Sequence, residues 1–105
     1  MVIIETPIFT RQIQAVLSEE EYRLLQIQLV NKPDSGKIIH GSGGLRKLRW
    51  SAGGHGKRGG IRVIYYWFVS RDTLLLLFTY PKGEQEELRP EQLKQLKKVV
   101  EGEYP

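Results

Sequence analysis

Three cations on two neighbouring stretches of the chain are the residues best suited to chemistry. Lys47 and Arg49 alternate with Leu48 in the first stretch, and Arg62 is the only charge in an otherwise apolar second stretch. Residues two apart in a β-strand project to the same face, so Lys47 and Arg49 are expected to share one face. If the next strand pairs with its charged side on that same face, Arg62 lies within reach of both. Such a cluster can bind a phosphate group and stabilise charge that develops on it.

The distribution of charge indicates an anionic polymer as the partner. Residues 35–71 contain eight Lys or Arg and no Asp or Glu, whereas the rest of the 105-residue chain contains eight basic and twelve acidic residues. Ordinary soluble surfaces mix both signs, so this block favours a nucleic-acid interface. A solvated basic face without a partner is the alternative that composition leaves open. Four cations of the block are expected to contact the nucleic acid, namely Lys37, Arg46, Lys57 and Arg58.

The chemistry available to this block is limited by what it lacks. The chain has no cysteine and the block has no carboxylates, so a thiol nucleophile and a magnesium site are both disfavoured, and we expect no cofactor. A histidine pair would need His40 and His55 together, although both lie in glycine-rich loops. RNA carries its own nucleophile in the 2′-hydroxyl, and cations can position the phosphate. A lysine among other cations also gives up its proton more readily and can act as a base.

The elements that must hold these residues predict a single α+β domain over 1–105. A β-branched run opens the chain, and Ser18 and Glu21 form a capping box for the second of two helices. Three strands follow at 46–50, 61–68 and 74–80, and Pro90 begins an amphipathic last helix. We predict a small twisted, mainly antiparallel sheet with an N-terminal helical hairpin and the C-terminal helix on one face. Its other face would be free to bind. Segments 36–44 and 51–60 are predicted loops.

The composition also predicts where the protein works. The longest apolar run, at 74–78, is far shorter than the roughly 20 residues that span a bilayer. The first residues lack the basic-then-apolar pattern of a signal peptide, and the absence of cysteine suits a reducing compartment. We expect a cytoplasmic protein with no membrane partner.

Three segments carry a resemblance to a known family. They are Gly-Gly-Leu-Arg-Lys-Leu-Arg at 43–49, Gly-Lys-Arg-Gly-Gly-Ile-Arg-Val-Ile-Tyr-Tyr at 56–66 and Leu-Phe-Thr-Tyr-Pro-Lys at 77–82. Together with the order of elements, they resemble the HigB branch of the RelE-type toxins over nearly the whole chain. The resemblance implies a RelE-like fold and the toxin of a type II toxin–antitoxin pair. It further implies an endoribonuclease that cleaves mRNA in the ribosomal decoding site, with a HigA-type helix-turn-helix antitoxin as its partner.

The resemblance also implies roles for individual residues. The Lys-x-Lys pair of RelE-type enzymes falls on Lys47 and Arg49, the arginine of the next strand falls on Arg62, and Lys82 takes the basic position after the last strand. Gly83 stands where RelE has a further arginine, and Tyr80 substitutes for the RelE C-terminal tyrosine. We favour Lys47 as base or transition-state stabiliser and Lys82 as proton donor, with Tyr80 as the substitute donor.

Two classes of function remain open from the sequence. The first is the ribosome-dependent endoribonuclease, which needs no metal because the 2′-hydroxyl attacks. The second is a non-catalytic interaction module, including a toxin of the ParE type, which shares the fold but acts on gyrase. The basic set at Lys47, Arg49 and Arg62 favours the nuclease.

Overall fold

The computed structural model of the protein describes residues 1–51 and 60–103. Within them, three α-helices and a five-stranded mixed sheet confirm the α+β class. In this part of the chain, no helix is both long and apolar enough to cross a lipid bilayer. The elements in chain order are β1 (Val2–Glu5), α1 (Pro7–Val16), α2 (Glu19–Asn31), β2 (Lys37–Ile38), β3 (Arg46–Ser51), β4 (Gly60–Phe68), a 3-10 turn (Val69–Arg71), β5 (Thr73–Pro81) and α3 (Pro90–Glu103).

The sheet has the strand order β1-β5-β4-β3-β2. β1 runs parallel to β5, and the other neighbours are antiparallel, so the sheet is mainly antiparallel as predicted. A tight turn joins β4 to β5, with Asp72 in the left-handed conformation at φ 48°. The prediction of an uninterrupted loop at 36–44 was wrong, because Lys37 and Ile38 form the short edge strand β2. A strand of two residues is too short for an alternating pattern to indicate it.

The N-terminal hairpin of α1 and α2 packs on one face of the sheet. α2 begins at the predicted capping box, in which Ser18 and Glu21 each accept a hydrogen bond from the other's backbone N–H. Thr6 caps α1 by accepting from the Phe9 N–H, and its hydroxyl donates to Leu77 O, which ties the helix start to β5. Alternate residues of the strands face this hairpin in one core cluster, among them Leu48, Ile61, Val63, Tyr65, Leu74 and Leu76.

The last helix packs on the opposite face, so the prediction that all helices share one face was wrong. Leu96 and Val100 of α3 are buried in one cluster with Leu45, just before β3, and with strand residues that point away from the hairpin, namely Ile64, Leu75 and Leu77. The central strands β4 and β5 carry apolar side chains on both faces, and both faces must therefore be covered. The second face carries these apolar residues together with the cations Lys47, Arg49 and Arg62.

A β-bulge in β5 sets which residues reach that second face. Ile64 pairs with Phe78 while Tyr65 pairs with Leu76, so Leu77 is an extra residue on β5. Leu77 and Phe78 therefore both contribute to the core beneath α3. The same shift brings Tyr80 opposite Arg62 on the face that α3 partly covers.

Candidate active site

Three adjacent strands place Arg49, Arg62 and Tyr80 in one row. Arg49 of β3 pairs with Arg62 of β4, and Arg62 pairs with Tyr80 of β5. Directly opposed residues on one face of a sheet have their Cβ atoms about 5 Å apart. The condition for bringing these cations together, that Arg62 lies on the same face as Arg49, is thus confirmed. The row runs from the exposed Arg49 through the buried Arg62 to Tyr80, which belongs to the core cluster beneath α3.

Lys47 and Lys37 extend the positive charge along the same face. Lys47 lies two residues from Arg49 on β3, and Lys37 of the edge strand pairs directly with Lys47. We call Lys37, Lys47, Arg49 and Arg62 the basic face. Since like charges gathered on one face repel one another, an anion that bridges them would relieve the repulsion.

The members of the row differ in how far solvent reaches them. Arg49 is exposed, whereas Arg62 is 5% exposed and Tyr80 is 3% exposed. Among the described residues, the Arg62 guanidinium donates a hydrogen bond from Nη1 to Ile61 O, and its length of 3.4 Å makes it weak. A buried guanidinium has five N–H donors, so most of its donor capacity is not used by the described residues. Arg62 is therefore suited to bind an anion that reaches the sheet.

Tyr80 keeps its proton in this environment. Burial raises the pKa of the Tyr80 hydroxyl above its ordinary value, the negative charges of Glu87 and Glu86 raise it further, and Arg62 opposes them. The hydroxyl lies 3.4 Å from the Glu86 carbonyl oxygen, to which it donates. Tyr80 can therefore act as a proton donor, once the hydroxyl is released from that carbonyl.

An acidic side chain that the sequence analysis did not assign to the site lies beside the basic face. The Lys47 ammonium is 3.0 Å from both carboxylate oxygens of Glu87, in the linker between β5 and α3. The sequence indicated Arg49 and Arg62 as neighbours of Lys47, and the structure adds Glu87 to them. The basic block has no carboxylate of its own, but the linker follows β5 at the end of the strand where Tyr80 lies. The position of the linker was the signal available in the sequence.

The linker is held in place at several points. Gln85 Nε2 donates to the Glu87 carbonyl at 3.0 Å and to Gln92 Oε1 at 2.9 Å. Gln92 in turn accepts from the Arg89 backbone N–H at the start of α3, and Leu88 packs against the core beneath that helix. These contacts fix the Glu87 backbone relative to the sheet.

The other residues predicted for the site are not all on the basic face. Arg46 falls on the hairpin side of β3, where its Nη1 donates to Gly36 O at 2.7 Å, so it has a structural partner there. Lys82 is half-buried in the turn after β5, and its backbone N–H donates to Gly60 O at 2.9 Å. His40 is exposed, as expected of a loop histidine. Lys57, Arg58 and His55 lie outside the described residues.

One cavity of the described residues lies away from the basic face. A cavity of about 550 Å³ between α1 and α2 includes Glu5 and Tyr22 in its lining and shares no residue with the basic face. The Glu5 carboxylate accepts hydrogen bonds from the Thr10 and Tyr22 hydroxyls, and these contacts give it a structural role. Across residues 1–51 and 60–103, no three histidine, aspartate or glutamate side chains come together as metal ligands would. No known protein-family model matches the chain.

Proposed function

We propose that the protein is the toxin of a type II toxin–antitoxin system, a ribosome-dependent endoribonuclease that cleaves translated mRNA without a metal ion. The observation that carries the proposal is the row of Arg49, Arg62 and Tyr80 across β3, β4 and β5, with Lys47 beside it on the same face. The fold class is compatible with the RelE-like architecture that the sequence resembles. RelE-likeness itself and the assignment to the HigB branch are part of the proposal.

The basic face has the groups that RNA cleavage requires. The scissile phosphate binds Arg49 and the buried guanidinium of Arg62, which stabilise the charge that develops as the 2′-oxygen attacks. Lys47 adds a further positive charge beside them. The leaving 5′-oxygen needs a proton, and the two donors proposed are Lys82 and the protonated Tyr80 hydroxyl. Arginine cannot transfer the proton because it stays charged.

The proposed substrate is mRNA in the ribosomal decoding site. An open face holds a flexible RNA strand poorly, so the ribosome supplies the geometry that a pocket would otherwise supply. Lys37, at the outer strand of the basic face, is the residue placed to follow the RNA backbone away from the cleaved bond. The protein would act in the cytoplasm, where translated mRNA is found.

The proposed protein partner is a cognate antitoxin, of the HigA helix-turn-helix type. It would neutralise the toxin either by covering the basic face with an acidic segment or by docking on the helices. Co-expression with the neighbouring reading frame, followed by pull-down, should yield a complex. Absence of a complex would count against the assignment.

Induced expression followed by mapping of mRNA 5′ ends tests the function. We expect growth arrest with new ends inside translated regions, and neither effect with Arg49→Glu. If growth stops with a DNA-damage response and without mRNA cuts, the protein is instead a gyrase-directed toxin of the ParE type or another interaction module.

A further inference from the structure

We propose that Glu87 is a catalytic residue of this site, whose carboxylate accepts the proton of the attacking 2′-hydroxyl while Lys47 holds the carboxylate in place. The inference rests on the proposed function. It assigns proton acceptance to a carboxylate, whereas the sequence alone favoured a lysine, and it makes Lys47 a positioning residue.

The geometry of the ion pair supports this assignment. Both Glu87 oxygens are 3.0 Å from Lys47 Nζ, so one ammonium fixes the orientation of the whole carboxylate. The Lys47 side chain is 21% exposed, whereas that of Glu87 is 73% exposed. The carboxylate is thus held from the sheet side and open on the solvent side, and its oxygens retain lone pairs for a hydroxyl arriving with the RNA.

The surroundings of Glu87 place it beside the proposed phosphate position. Lys47 of β3 is its ion-pair partner, and Glu86 is its neighbour on the linker. Tyr80 of β5 lies between the influence of Glu87 and that of Arg62, its neighbour on β4. The Tyr80 hydroxyl is close enough to Glu87 and Arg62 for both charges to shift its pKa. A phosphate on the row of Arg49 and Arg62 would therefore have this carboxylate at its margin.

Hydrogen-bonding capacity separates the roles of the two partners. An ammonium group has three donors and no acceptor, so Lys47 cannot take up a proton while it holds Glu87. The carboxylate is an acceptor only, and it lies where a hydroxyl next to the phosphate would come.

The proposed step balances without a co-reactant. The 2′-O–H bond breaks and its proton goes to a Glu87 oxygen, while the 2′-oxygen forms a bond to phosphorus. The bond from phosphorus to the 5′-oxygen breaks, and that oxygen takes a proton from one of the two donors proposed above, Lys82 or the Tyr80 hydroxyl. The products are a 2′,3′-cyclic phosphate and a 5′-hydroxyl end. Exchange with water then returns the proton to the donor and removes it from Glu87.

Single-turnover cleavage of mRNA on programmed ribosomes across a range of pH tests the role of Glu87. Glu87→Gln keeps the side-chain length and an oxygen for Lys47 but cannot accept the proton. We expect the cleavage rate to fall about 10²–10⁴-fold while ribosome binding changes only a few-fold. The wild-type rate should decrease at low pH, as it does with a carboxylate base, and the Glu87→Gln rate should not. Glu87→Asp should retain that pH dependence at a lower rate.

The matched control is Glu86→Gln, which removes the same charge one residue away and keeps the carbonyl that accepts from Tyr80. It should cleave at close to the wild-type rate. A Glu87→Gln protein that cleaves as fast as wild type with the same pH profile overturns the inference alone. Faster cleavage also overturns it, because the carboxylate would then only compete with phosphate. If wild-type protein does not cleave, the proposed function fails, and the inference fails with it.

Discussion

Arg49 and Arg62 are neighbours across two strands, yet solvent reaches them to very different extents. Reversing the charge at Arg49 is expected to leave the fold intact, because the side chain is exposed. A carboxylate at position 62 would be buried, and burying an unpaired charge costs stability. Arg62→Lys, which keeps the charge and removes the planar guanidinium, is the variant suited to test phosphate binding at that position.

We predict that Arg49→Glu folds normally and cleaves mRNA about 10²–10³-fold more slowly, because one donor to the developing charge has become a repulsive carboxylate. Thermal unfolding checks the fold, and single-turnover cleavage on ribosomes checks the rate. Arg23→Glu is the matched control, since it makes the same change on the exposed surface of α2. Equal rates for the two variants would remove Arg49 from the site.

Three tyrosines make the folding stability of the protein fall at alkaline pH. Burial is the main cause that raises the pKa of Tyr22, Tyr65 and Tyr80 above the ordinary value of 10.0. The folded protein therefore binds these protons more tightly than the unfolded chain. The stability they contribute is fully present below about pH 10 and is lost as the pH rises through the folded-state values.

We predict that these hydroxyls resist ionisation until the protein unfolds. Tyrosinate absorbance and circular dichroism should be measured together against pH. The absorbance change of the three buried tyrosines should coincide with the loss of the circular dichroism signal, above pH 10. Smooth ionisation of all five tyrosines near their ordinary pKa, with the fold retained, would contradict the burial described for the three.

Among the helices and strands, the features set by residues close in sequence could be predicted, whereas contacts between distant segments could not. The capping box at Ser18 and Glu21 defines the start of α2 within a few residues, and the structure has it as predicted. The alternation in β3 and β4 likewise identified which side chains share a face. These features depend on residues close in sequence.

The features that the sequence did not show depend on packing between elements. The side on which α3 lies is decided by how the apolar residues on both faces of β4 and β5 are covered. The pairing of Lys47 with Glu87 joins residues forty positions apart. Neither periodicity nor capping specifies such a contact.

Tyr65 fixes the connection between α2 and β2. Its hydroxyl donates to Pro33 O at 2.6 Å and accepts from the Gly36 N–H at 2.8 Å, and its ring is fully buried. We predict that Tyr65→Phe lowers the free energy of unfolding by about 1–3 kcal/mol, because both backbone groups lose their partner. Urea unfolding measures the change.

The matched control is Tyr66→Phe, at the next position of the same strand, whose hydroxyl has no hydrogen bond to the described residues. It should cost much less. If both variants are equally stable, water replaces the Tyr65 hydroxyl without loss and the anchoring role is wrong.

At the scale of the whole molecule, the two faces of the sheet have different tasks. The hairpin of α1 and α2 closes one face, and α3 packs on the other. That second side of the sheet also carries the basic face, bordered by the acidic linker. In the proposed function, the ribosome positions the RNA on this face.

The proposed ribosome-dependent activity can be measured as cleavage of one mRNA by purified protein, on programmed ribosomes and free of ribosomes. We predict cuts at the codon in the decoding site that persist in the presence of a metal chelator at concentrations that leave the ribosomes intact. We also predict much slower cleavage of the free mRNA, and loss of the ribosomal cuts with Arg49→Glu. If folded wild-type protein leaves ribosome-bound mRNA intact, or cuts free mRNA equally fast, the proposed activity is wrong.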